Sequence, residues 1–62
     1  MRWELFEVVV IDDDGYEQVV DTTKSLKAAR ELAQQLLTEG VAEIIINREV
    51  DDEFEEIERL TA

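Results

Sequence analysis

The chain has no cysteine, no histidine and no proline, and only two glycines, in 62 residues. Without cysteine there is neither a disulfide nor a thiolate metal site. The lack of histidine removes the commonest zinc ligand and the usual general base. The two glycines, Gly15 and Gly40, stand far apart and outside any phosphate-cradling pattern. Basic residues number six against seventeen acidic ones, a net charge of −11. That balance disfavours direct binding of DNA or RNA, whose affinity comes largely from neutralising phosphates with Lys and Arg. No apolar run approaches the roughly 18 residues of a membrane span. Met1-Arg2-Trp3-Glu4 places an acid ahead of any long apolar stretch, which does not read as a secretory signal. With no signal and no cysteine, the chain is expected to be cytoplasmic.

What is present is enough to fold. Hydrophobic residues make up 45% of the chain, too rich a supply for an acidic disordered tail. The length allows a single domain, 1–62, and a domain this small buries only about 60% of the surface its unfolded chain exposes. With no covalent or metal staple, stability must come from apolar packing, extended or not by self-association.

Trp3 to Ile11 is dense in β-branched and aromatic residues and predicts a strand. Asp12-Asp13-Asp14-Gly15 then predicts a hairpin, since glycine accepts positive φ without a Cβ clash. Tyr16 to Asp21 returns. A two-residue turn would set Asp12 against Glu17, whereas a longer loop through 12–15 avoids that like-charge pair. Leu26, Ala29, Leu32, Ala33, Leu36 and Leu37 recur at helical spacing and predict a helix over 25–39. Ser25 suits its N-cap, and Gly40 with Val41 suits a left-handed C-terminal cap.

Val41 to Asn47, with Ile44-Ile45-Ile46, predicts a third strand. For 52–61 two readings compete. Val50, Phe54, Ile57 and Thr61 fall at helical spacing, and Asp52 with Glu55 resembles a capping box. A strand leaves neither face cleanly apolar. The preferred fold is α+β in the order ββαβα, an antiparallel hairpin plus a third strand packed on one amphipathic helix, with ββαββ as the alternative. In the first strand Trp3, Leu5, Val9 and Ile11 share one face and Phe6, Val8 and Val10 the other. Both faces call for cover. One helix covers one of them, leaving the other for the C-terminal helix, a second copy of the chain or a partner.

No residue constellation predicts catalysis. Ser25, the only serine, is accounted for as a helix cap, and Lys24 and Lys27 beside it have no pocket in which to activate it. The carboxylates lie in hydrophilic runs rather than in a cleft that would separate their pKa values. Consecutive Asp12, Asp13 and Asp14 lack the alternate-residue spacing and the closing bidentate Glu of a calcium loop. No cofactor and no metal site is expected, and the chain reads as non-enzymatic.

The acids are unevenly placed. Residues 22–38 hold Lys24, Lys27, Arg30 and Glu31, a local charge of +2, which leaves −13 on the remainder. Seven carboxylates fall within residues 49–58. This pattern predicts an acidic interaction protein that meets a basic, nucleic-acid-binding partner through Asp12, Asp13, Asp14, Glu49, Asp51, Asp52, Glu53, Glu55, Glu56 and Glu58. Rows of carboxylates can imitate the charge of a nucleic acid, the device by which small proteins of phages and mobile elements block restriction or CRISPR nucleases. That analogy is one of charge, with no family motif behind it. The competing reading is a halophile-adapted or designed structural domain, monomeric or a homodimer, with no ligand.

Overall fold

A computed structural model describes residues 3–62. The elements are β1 (Glu4–Ile11), β2 (Glu17–Thr23), α1 (Leu26–Thr38), β3 (Glu43–Val50) and β4 (Glu53–Thr61). The protein is thus a small α+β domain in which four antiparallel strands form one sheet and one helix packs on it. Strand order is β2-β1-β3-β4, so the two strands richest in Val and Ile lie at the centre. The helix connects β2, at one edge, to β3, an inner strand.

Antiparallel partners share a face, so the register states which side chains meet α1. Val10, Ile44 and Leu60 form one row beneath the helix, and Val8 with Ile46 the next. Phe6, Val8, Ile44 and Ile46 are buried together against Ala29 and Ala33 of α1. Alanine at both helix contacts lets the backbone of α1 sit close to the sheet, and Leu26, Leu32, Leu36 and Leu37 close the rim. No polar or charged side chain is buried among the described residues. Among those residues no helix is long and apolar enough to cross a membrane.

Local chemistry sets the helix ends as the sequence predicts. The Ser25 hydroxyl accepts from the Ala28 amide at 3.3 Å. At the other end Val41 N–H donates to Leu36 and Gly40 N–H to Leu37, the paired bonds of a Schellman motif, and Val41 packs against the core. Gly40 carries φ +105°, and a Cβ there would touch nothing within 4 Å. The penalty for Gly40→Ala is therefore purely conformational. It is expected to cost about 1 kcal/mol, read as a lower urea midpoint at unchanged slope. An unchanged midpoint would show that the cap does not stabilise the fold.

The first hairpin takes the longer of its two readings. Ile11 pairs with Glu17, and Asp12 N–H donates to the Tyr16 carbonyl while Gly15, at φ +87°, donates to Asp12. Asp12 Oδ1 also accepts from the amides of Asp14 and Tyr16, both at 2.9 Å. An aspartate in the first position thus organises its own turn.

The C-terminal segment corrects the preferred reading: 53–61 is a strand, and the order is ββαββ. The physical reason is a bulge. Ile46 pairs with Glu58 but Asn47 with Glu56, so Ile57 is the extra residue. A bulge interrupts strict alternation, and Ile57 and Leu60 both pack on the core although they are three apart. That spacing imitates a helix. Asp52, expected to cap a helix, instead lies in the tight turn between β3 and β4. Asp51 and Asp52 there have φ of 51° and 69°, the left-handed pair of a two-residue hairpin turn. With β4 in the sheet, no second helix among the described residues covers the face opposite α1.

Candidate interaction surface

The uncovered face is built from alternate residues of every strand. Leu5, Glu49 and Phe54 lie in one row across β1, β3 and β4. The next is polar, with Glu7, Asn47 and Glu56. Then come Val19, Val9, Ile45 and Arg59, followed by Glu17, Ile11, Glu43 and Thr61. Apolar and acidic rows therefore alternate along the strands, about 6.8 Å apart at two residues per step. Val9 and Ile45 are buried by their sheet neighbours alone, while Val19 and Phe54 are 50% and 58% exposed. Trp3, which continues the alternation ahead of β1, is 49% exposed.

Ion pairs engage a minority of the carboxylates. Arg30 of α1 reaches Glu58 at 2.7 Å. Arg48 lies between Glu4 and Glu55, at 3.5 and 3.8 Å. On the open face Arg59 pairs with Glu43 and with Glu56, the latter at 3.0 Å. The hydrogen bond from Arg30 to Glu58, reinforced by the carboxylate's charge, holds the Arg30 guanidinium above its ordinary pKa. Hydrogen bonds to Glu56 and then Glu43 do the same for Arg59. These pairs lie in solvent, where water screens them, and they orient side chains more than they stabilise the fold. The other carboxylates have no basic partner among the described residues. Neither Lys24 nor Lys27, exposed beside and on α1, has an acidic one there. Carboxylates thus lie on both layers, with Glu7, Glu17, Glu43, Glu49 and Glu56 on the open face and Glu4, Asp21, Glu53, Glu55 and Glu58 on the α1 side, while the free cations Lys24 and Lys27 lie by the helix.

The ten acids expected to act together are not all brought together. Asp12, Asp13 and Asp14 follow the end of β1 that lies beside the start of β3, whereas Asp51 and Asp52 follow the far end of β3. The eight residues of β1 separate the two turns, on the order of 25 Å. The strand also divides the C-terminal run. Glu49 and Glu56 face the open side. Glu53, Glu55 and Glu58 fall on the side of α1, with Glu58 tied to Arg30 and Glu55 to Arg48. Asp12 serves its own turn.

Sequence reasoning passes over Glu7, Glu17 and Glu43, which the register sets on the open face. A local signal exists for Glu7, which sits between Leu5 and Val9 in an alternating strand. Glu17 and Glu43 require the pairing of β1 with both neighbours.

A cation site finds no support among the described residues, where no group of three or more carboxylates is arranged to hold a metal ion. A shallow depression beside the second hairpin, lined by Arg48, Val50, Asp51, Glu53, Phe54 and Glu55, joins charges of both signs to an exposed ring. Compared with known proteins, the chain matches no family model, no curated protein and no solved structure.

Proposed function

We propose that this chain is a non-enzymatic acidic binding protein whose carboxylate surface engages a basic protein, one that itself handles nucleic acid. The observation that carries this reading is the large excess of carboxylates without a basic partner among the described residues. Five of seventeen carboxylates take part in ion pairs between described residues, and of the others Asp12, Asp13, Asp14, Asp51 and Asp52 gather at the two turns and Glu7, Glu17 and Glu49 on the open face. Such a surface repels polyanions and attracts cationic surfaces over about a Debye length.

The second hairpin supports the same reading. Both residues of its turn have positive φ, where Asn-Gly is the favourable pair. Two adjacent aspartates there cost stability through backbone strain and mutual repulsion. Charge kept where stability opposes it is consistent with selection for binding. Imitation of a nucleic acid's charge, with inhibition of a nuclease or regulator as its outcome, is the finer form of this proposal.

The test uses the immobilised chain to capture proteins from bacterial lysate at low salt. The expected result is a basic protein released by moderate salt and by added duplex DNA, which competes for the same cationic surface. Replacing Asp51, Asp52, Glu55 and Glu56 by their amides is expected to weaken that binding by at least about tenfold and to flatten its salt dependence. Binding that survives both molar salt and the amide variant would sink the reading.

A further inference from the structure

We infer that the open sheet face is a docking site for a basic amphipathic α-helix of a partner protein, laid along the strands over β1 and β3. This rests on the reading of the chain as an acidic binding protein and adds the partner's chemistry and form.

An antiparallel sheet with one wet face ordinarily turns polar residues to the water. Here the open face keeps apolar residues at Leu5, Val9, Ile11 and Ile45, with Trp3, Val19 and Phe54 about half exposed or more. Glu7, Glu43, Glu49 and Glu56 are set between them; among the described residues Glu7 and Glu49 have no basic partner, and Glu43 and Glu56 pair with the one cation of this face, Arg59. The complement of such a surface is apolar side chains flanked by Lys and Arg. A second copy of the chain fits poorly, because face-to-face stacking would bring together two net-negative faces, each with Glu7, Glu17, Glu43, Glu49 and Glu56 against Arg59. Strand addition is also opposed: edge strand β2 is bent by a bulge at Val20, and edge strand β4 is lined with carboxylates. A helix asks for no backbone hydrogen bonds from the sheet and would complete a third layer opposite α1.

Spacing sets the register of such a helix. The eight residues of β1 extend about 27 Å, the length of a helix of about 18 residues. The apolar rows at Leu5 and Val9 are about 14 Å apart, which a helix spans in about nine residues, with the Glu7 and Glu56 row midway. The partner would therefore carry two apolar clusters about two and a half turns apart with Lys or Arg between them.

The experiment titrates the isotope-labelled protein at low salt with two peptides of about 18 residues and identical leucine and lysine content. In one the leucines form a single helical face, and in the other they are spread around the helix. The amphipathic peptide is expected to bind about tenfold tighter, to shift the amides of Val9, Ile45 and Glu56, and to leave those of Ala29 and Ala33 in place. Phe54→Lys, at an exposed position, is expected to keep the native spectrum and to abolish the difference between the peptides. Equal affinity for the two peptides would overturn the helix site while leaving the acidic-binding reading intact. Binding of neither would overturn both. If instead the open-face amides move with protein concentration and sedimentation reports a doubled mass, the occupant is a second copy and the inference fails.

Discussion

Replacing Ile46 by alanine is expected to cost about 2–5 kcal/mol. That is most or all of the roughly 3–5 kcal/mol a single core supplies in so small a chain. Ile46 is fully buried between Val8 and the α1 contact at Ala29 and Ala33, and the described residues hold no disulfide or metal cluster to compensate for a cavity there. The adjacent Ile45 provides an internal comparison. It belongs to the same strand and is buried almost as well, 4% exposed against none for Ile46, but it points to the uncovered face. Its truncation opens toward solvent rather than leaving a closed void, so Ile45→Ala is expected to cost about 1–2 kcal/mol, near the transfer term alone. Urea denaturation followed by far-UV circular dichroism measures both. Equal losses in the two variants would mean that the open face is covered in solution, and a midpoint that rises with protein concentration would identify the cover as a second copy.

The double replacement Asp51→Asn with Asp52→Gly is expected to raise stability by about 1–2 kcal/mol, because residues other than glycine are strained in the left-handed region and Asn-Gly is the favoured pair for this turn. For a domain of this size the melting temperature should rise by about 4–8 °C per kcal/mol. The two-residue loop between Val50 and Glu53 keeps its register, so the sheet is expected to be unchanged. The same variant removes two negative charges from the hairpin tip. Under the proposed function it should be more stable and bind its basic partner less well. A variant that gains no stability would show that the aspartates make compensating interactions in the turn, and unimpaired binding would remove the second hairpin from the interaction surface.

Much of the architecture is legible in the sequence. The helix is readable because its stripe of Leu and Ala, its serine cap and its terminal glycine all agree, and each signal is local. The first two strands are readable from β-branched runs around an Asp-Gly turn. The C-terminal segment is not, and Ile57 shows why. One residue displaced by a bulge leaves Phe54, Ile57 and Leu60 at a spacing that suits a helix, while the neighbours that enforce a strand lie in β3. The choice between the two depends on backbone hydrogen bonds to Glu43–Val50, which no local pattern encodes.

The interaction surface divides along the same line. The surplus of acids, their concentration in 49–58 and the basic character of the helix segment follow from the sequence alone, because net charge along a chain does not depend on its fold. So does the absence of cysteine and histidine, the commonest nucleophile, base and metal ligands. Which carboxylates share a face is decided only by tertiary structure. Antiparallel pairing sends the two acidic turns to opposite ends of the sheet, strand alternation sends Glu56 to one face and Glu55 to the other, and Glu7, Glu17 and Glu43 meet around the apolar rows through contacts between strands. Charge is a property of the residues, but a surface is a property of their register, and register is set by long-range pairing.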